Sequence, residues 1–152
     1  MKLKQTLITL ALLLPASLCL RAASSETVAV TISAFDTMKY SLTKIEAKPG
    51  QKVTVELKNE GNLPKATMGH NWILLKAGSD PMAYSAAAIK AREQDYQPSS
   101  RANEVLASIK MLGPKESAKT SFTAPSAPGT YSFLCSFPAH CQSGMKGSLI
   151  VK

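Results

Sequence analysis

The chain reads as an all-β sandwich with one helical insertion. Short segments alternate apolar and polar residues with a period of two, clusters of Gly, Pro and Asn separate them, and a single segment between Asp80 and Lys90 carries a helical composition instead. A period of two is what a strand shows when only one face is buried, because successive side chains point to opposite faces. Several such strands with turns between them bury their apolar faces by packing as two antiparallel layers.

The elements follow in chain order. Residues 1–23 read as a secretory signal peptide: Lys2 and Lys4 form a positive start, Leu7 to Leu14 an apolar stretch, and Pro15 and small residues follow. Cleavage is expected after Ala22 or Ala23. A lipoprotein at Cys19 and an uncleaved membrane anchor are the alternatives. Leu18 is bulky where the first wants a small residue, and the apolar run is shorter than the roughly 20 residues a span needs. Residues 24–152 are then expected to form one domain, exported to an oxidising compartment and with no membrane span after cleavage. Thr27 to Ala34 places Val28, Val30 and Ile32 on one face of a strand, and Thr43 to Ala47 is a second, shorter candidate. Lys48-Pro49-Gly50-Gln51 turns the chain into Val53 to Leu57, which ends at Asn59-Glu60-Gly61-Asn62. Asn71 to Leu75 is an apolar run. Asp80 suits a helix cap and Pro81 a first turn, with Met82 to Lys90 as the helix. Gln94 to Ala102 is a polar loop. Ala118 to Phe122, Thr130 to Leu134 and Gly147 to Val151 complete the strands.

Composition narrows the function. Of 152 residues, 45% are hydrophobic and 18% charged, which argues against disorder, and the length suits one domain with its own core. The formal charge of +8 falls to +5 once Lys2, Lys4 and Arg21 leave with the leader. The remaining charges are scattered, so nucleic acid is not an expected partner. Loss of Cys19 leaves two cysteines, Cys135 and Cys141, too few for a multi-bridge disulfide framework. The chain has two histidines, which excludes a three-His zinc centre, a coupled multicopper cluster, and a copper oxidase or nitrite reductase needing a second metal site.

Those scarce residues fall in a pattern. Cys135, His140 and Met145 lie within eleven residues, in Cys135-Ser-Phe-Pro-Ala-His-Cys-Gln-Ser-Gly-Met145, between two strands. The other histidine, His70, follows Gly69 at the start of another strand. A loop pinned by strands on both sides brings several side chains to one point. Taken singly, a histidine is most often structural, a methionine a gap-filler and a cysteine a small buried hydrophobe. Taken together, two imidazoles, a thiolate and a thioether match the donor set of a blue-copper electron-transfer site: thiolate and thioether favour Cu(I), imidazole also suits Cu(II), and a compromise geometry serves both.

On these residues the chain resembles the azurins and, more broadly, the cupredoxins. The likeness is carried by Gly61-Asn62-Leu63-Pro64-Lys65, Met68-Gly69-His70-Asn71-Trp72, Cys135-Ser-Phe-Pro-Ala-His140 and Met145-Lys-Gly147, and runs from about Val28 to Lys152. It implies an eight-stranded Greek-key sandwich with a helical flap. It implies one copper ion with His70, Cys135 and His140 as equatorial ligands, Met145 axial, and the Gly69 carbonyl as a weak opposing contact. Asn71 would tie the His70 segment to the Cys135 loop, and Phe137 with backbone amides around the sulfur would tune the potential. His140 would be the exit ligand, its ring edge near the surface. Met38, Leu63, Pro64, Met68 and Pro114, with Pro138 and Ala139, would form an apolar patch around it, of the kind that marks partner surfaces.

The implied function is a small soluble periplasmic carrier of single electrons, not an enzyme, monomeric, with c-type cytochromes or periplasmic oxidoreductases as partners. A copper-binding or trafficking protein using Met68, Cys141 and Met145 as extra soft ligands is the alternative.

The chain also departs from the azurins. It has no Cys around Val28 or around Gly50-Gln51, where they usually carry a disulfide. Four residues separate His140 from Met145 where azurins usually have three, as in plastocyanin- and auracyanin-like loops. No histidine is left over to titrate, so the expected His-linked pH effect is confined to His140 in the reduced state. Cys141, where the family commonly has Ser, admits two readings, a free thiol or a disulfide partner of Cys135 in the metal-free protein.

Overall fold

The computed structural model describes residues 26–152; the expected leader, residues 1–23 with Cys19, lies outside them. Nine strands and two short α-helices follow one another as β1 (Val28–Phe35), β2 (Lys39–Tyr40), β3 (Lys44–Ala47), β4 (Lys52–Asn59), α1 (Lys65–Met68), β5 (His70–Leu75), α2 (Pro81–Ala88), β6 (Val105–Leu112), β7 (Ser117–Thr123), β8 (Gly129–Leu134) and β9 (Lys146–Val151). They form a four-stranded sheet in the order β2-β1-β4-β7 and a five-stranded sheet in the order β3-β9-β8-β5-β6. The count exceeds eight through the two-residue β2, which pairs only with the last residues of β1.

Periodicity placed most strands within a residue or two. In β4 the side chains of Val53, Val55, Leu57 and Asn59 are buried while Lys52 is exposed and Thr54, Glu56 and Lys58 are half-buried. Three features were not in the local pattern. Strand β6 is an edge strand whose alternation is interrupted by Ala107 and Ser108. Helix α1 is a single turn, and the polar loop after α2 contains two 3-10 turns, Arg92–Gln94 and Ser99–Glu104. The layers are also not purely antiparallel: β1 runs parallel to β4 and β3 parallel to β9. Nothing in the period of an isolated strand reports the direction of its neighbour.

Strand β5 reads as a continuous apolar run because both of its faces are covered; all six of its residues are buried. Trp72 and Leu74 face the main core, where the Trp72 ring lies 5.5 Å from Phe133 and 6.1 Å from Phe122. Ile73 and Leu75 face the other way, into a second cluster with Tyr84 of α2, Leu134 and Cys141. Helix α2 roofs that cluster. Its first turn contains Pro81 and is capped by Asp80, whose carboxylate accepts the Met82 N–H at 2.8 Å.

The pairing brings three chain segments to one end of the five-stranded sheet. β8 runs antiparallel to both β5 and β9, with Ile73 opposite Leu134 and Leu134 opposite Lys146. The start of β5, the end of β8 and the start of β9 therefore meet, and these are the points where His70, Cys135 and Met145 leave the strands. Gly147 makes this possible: a Cβ there would run into the Thr43 carbonyl and the Phe133 ring, so only glycine lets β9 lie between β3 and β8. Replacing Gly147 with Ala is expected to cost about 1–3 kcal/mol through overpacking. Urea denaturation should show this as a lower midpoint with an unchanged slope.

Candidate metal centre

His70 is the first residue of β5, and the glycine before it is a steric requirement. A Cβ on Gly69 would come within 2.7 Å of the Lys65 carbonyl and 2.9 Å of the Met111 side chain, so the backbone can settle onto Met111 only without one. Cys135 follows directly on β8, and its N–H donates to the Met145 carbonyl at 3.0 Å, closing the loop at its base. Within the loop, Ser143 N–H bonds back to Ala139, Gly144 N–H to Cys141 and Met145 N–H to His140. With Gly144 at φ +93°, the last two bonds make the reverse turn that commonly ends a helix, for which glycine supplies the left-handed residue. The four residues between His140 and Met145 are thus taken up as one helical turn, and the longer spacing costs no loosening of the loop.

The ligating atoms of His70, Cys135 and His140 all lie within 4.8 Å of one another, and all three side chains are buried. The Cys135 sulfur is 3.4 Å from His140 Nδ1, and the two imidazole rings are 4.9 Å apart. Met145 is wholly buried in the same cluster as Cys135 and Phe137. The Phe137 ring packs 4.7 Å from that of His140 and 5.1 Å from that of Tyr96.

Asn71 joins the segments that carry His70 and Cys135. Its Oδ1 accepts the Ser136 N–H at 2.8 Å, and its Nδ2 donates to the Ser136 hydroxyl at 2.7 Å and to the Asp95 carbonyl at 3.4 Å. Ser136 Oγ in turn donates to the Tyr96 carbonyl at 2.7 Å. Asp95 and Tyr96 both have left-handed backbones, at φ 52° and 57°. Such residues persist only where surrounding bonds over-determine them, and here the Asn71–Ser136 pair holds both carbonyls. The sequence singled out Asn71 and Phe137 but not Ser136, Tyr96 or Met111; no local pattern marks a serine or a loop tyrosine as part of a metal site.

Burial dominates the electrostatics. It pulls the His70 and His140 pKa values down to about 4; for His70 the Asp36 carboxylate and Phe35 carbonyl oppose it, and for His140 the neighbouring His70 adds to it. It pushes the Cys135 thiol up to about 12, opposed by the backbone amides of Asn71 and Phe137. At neutral pH the metal-free site therefore holds two neutral imidazoles and a thiol, and taking up a cation expels the thiol proton. Neither nitrogen of the His70 ring has a hydrogen-bond partner although both are buried. Buried polar atoms without partners are rare, and a metal ion supplies one. With a thiolate beside two imidazoles, the donor set fits a single copper ion.

Cys141 turns away from this cluster. Its thiol donates to the Pro81 carbonyl at 3.7 Å, lies 3.7 Å from the Met82 sulfur, and is buried under α2 with Ile73, Leu75 and Leu134. Both cysteines are free, so the disulfide reading is not what the structure shows. Of the apolar residues expected around His140, Leu63, Pro64, Pro114 and Ala139 are exposed and Met38, Met68 and Pro138 half-buried; Met68 ends helix α1 and the others lie on loops and turns. His140 itself, expected with a ring edge near the surface, is only 1% exposed; its ring is packed between His70 and Phe137.

Fold and donor set together define a single-copper β-sandwich protein. Residues 26–152 match the family described as copper binding proteins, plastocyanin/azurin family, and the chain belongs to it. It is 37% identical over 126 residues to an azurin of Pseudomonas fluorescens biotype A, covering 81% of this chain and 97% of that one. It is 36% identical over 145 residues to an azurin of Achromobacter denitrificans, covering 93% and 94%. Among solved structures, dithionite-reduced auracyanin from Roseiflexus castenholzii superposes with a TM-score of 0.73 at 37% identity, covering 82% of this chain and 97% of that one.

Two outcomes follow from the site. Each histidine has a folded pKa of about 4, below its unfolded value of about 6.5, so the unfolded chain takes up protons first as pH falls. The metal-free protein should lose stability between pH 6.5 and 4, by at most about 3 kcal/mol per histidine, measured as unfolding free energy in urea at stepped pH. Cys141→Ser should leave the copper spectrum unchanged while lowering the thermal midpoint, because the hydroxyl replaces a sulfur in an apolar cluster.

Proposed function

We propose that the protein is a periplasmic carrier of single electrons, in which His70, Cys135 and His140 would hold one copper ion, with Met145 and the Gly69 carbonyl as further, weaker contacts. The observation that carries this reading is the buried triangle of two imidazoles and a thiol, set by the start of β5 and the loop between β8 and β9 and bridged by Asn71. Copper bound there supplies a one-electron couple between Cu(I) and Cu(II). The chain's own contribution is restraint. Cys135 is held by its N–H bond to Met145 and by the fixed position of Ser136; His140 is wedged between two rings; His70 is anchored in a strand. Ligands that cannot move need little rearrangement when the charge at the centre changes.

Residues 1–23 are read as the leader that exports the chain, and residues 24–152 as the working domain. Among the described residues no helix is long and apolar enough to cross a membrane. Electrons would enter and leave across the apolar patch around Leu63, Pro64, Met68, Pro114 and Ala139. Its partners would be c-type cytochromes or periplasmic oxidoreductases that bind by brief apolar contact, and the free protein would be a monomer. Cys141 is committed to the cluster under α2, which favours a carrier over a trafficking protein that would use it as an added ligand.

The reading is tested by adding Cu(II) to the metal-free protein. An intense thiolate-to-copper absorption band should appear, bleach on reduction and return on oxidation, and be absent in Cys135→Ser. A colourless, tightly held Cu(I) form would contradict it. For the patch, Leu63→Glu or Met68→Glu should slow electron self-exchange roughly tenfold or more, because two copies would each bury a like charge. Stopped-flow or NMR line-broadening rates read this out.

A further inference from the structure

The turn after β1 carries a carboxylate that the copper reading leaves unexplained. The Met38 N–H closes this turn on the Phe35 carbonyl at 2.9 Å, and β2 then pairs back so that Tyr40 lies opposite Ala34. The Tyr40 hydroxyl donates to the Asn71 carbonyl, which draws the turn against the start of β5, next to His70. Asp36 sits in this turn, half-buried. One of its oxygens accepts the Asn62 N–H at 2.8 Å; the other, Oδ1, is buried with no partner. Asp36 presses on Gly61 so closely that no Cβ could be accommodated there. The Gly61 N–H bonds to Asn59 Oδ1 at 2.9 Å, Asn59 Nδ2 bonds to the Leu112 carbonyl at 3.2 Å, and Leu112 pairs with His70. Asp36, Gly61, Asn59, Leu112 and His70 thus form one contiguous layer. The Asp36 charge is also felt at the His70 ring, where it favours the cationic form.

A buried carboxylate oxygen without a donor is costly unless a positive charge lies near it. Among the described residues Asp36 has no ion pair with a lysine or arginine. The positive charge that the fold does provide for is the metal centre. Cu(II) with the Cys135 thiolate carries a net charge of +1, which Asp36 balances; Cu(I) with the same thiolate is neutral and leaves Asp36 uncompensated.

We propose that Asp36 is a positioning residue that sets the redox balance of the copper site, its negative charge behind His70 favouring the oxidised form. It acts through His70 and does not ligate the metal. This inference rests on the copper reading above. It is also invisible in the sequence, where a lone aspartate in a turn reads as turn chemistry.

The test is the midpoint potential of the copper-loaded protein, by spectroelectrochemistry, for wild type, Asp36→Asn and Asp36→Ser. Both variants remove the charge; asparagine keeps an acceptor within reach of the Asn62 N–H, and serine is the smaller polar control. The expected result is a higher potential in both, the Cu(I) to Cu(II) ratio at fixed poise rising roughly three- to tenfold, with the blue absorption band unchanged. The shift should fall only partly at high salt, since the Asp36 Oδ1 oxygen is buried while the residue as a whole is half-exposed. An unchanged or lowered potential in variants that keep the band would overturn the proposal. Loss of the band in both variants would also overturn it, since Asp36 would then be maintaining the fold and not the potential. A wild type without the band would overturn the copper reading itself, and this inference with it.

Discussion

The side chain of Asn71 bonds at once to the backbone and hydroxyl of Ser136 and to the Asp95 carbonyl, and the whole metal centre depends on that junction. Asn71 follows His70 in β5 and Ser136 follows Cys135 after β8, so the bond pair fixes the separation of those two side chains. Both residues are buried, where such bonds are strengthened by the low local dielectric and where losing one leaves orphaned polar groups worth about 1–3 kcal/mol each. The same pair secures the carbonyls of two left-handed residues, Asp95 and Tyr96, which in turn place the Tyr96 ring against Phe137 and Phe137 against His140. One amide therefore reaches His70, Cys135 and His140.

The rest of the site is built to resist displacement. The Met145 carbonyl takes the Cys135 N–H, and the helical turn ending at Gly144 returns the chain to β9 without slack. Burial also sets the protonation of the site. It keeps both imidazoles neutral well below physiological pH and excludes water from the thiol. Cys141, one residue from a ligand, is drawn off by Pro81 and Met82 into a separate cluster, so the loop contributes one sulfur from cysteine and not two.

Much of this was legible in the chain. Strands β1, β4, β7 and β8 declare themselves by alternation, and the metal centre by three scarce donor types within eleven residues. What escaped was what depends on partners distant in sequence. β6 lies at a sheet edge, where Ala107 and Ser108 need not alternate, and the parallel pairing of β1 with β4 is a property of two strands, not one. The helical turn that absorbs the longer His140–Met145 spacing was not anticipated, although Gly144 is its sequence mark. Ser136, Tyr96 and Asp36 act through bonds across the fold, of 65 residues between Ser136 and Asn71 and 26 between Asp36 and Asn62, and no local pattern reports contacts of that span.

The fold, and not the metal, places the His70, Cys135 and His140 side chains. High-resolution crystal structures of the metal-free, Cu(I) and Cu(II) forms test this most directly. The His70, Cys135 and His140 donor atoms are expected to superpose within about 0.5 Å across all three, with the Asn71–Ser136 bonds intact in each. A metal-free form in which Cys135 or His140 swings away, or in which Asn71 releases Ser136, would contradict it.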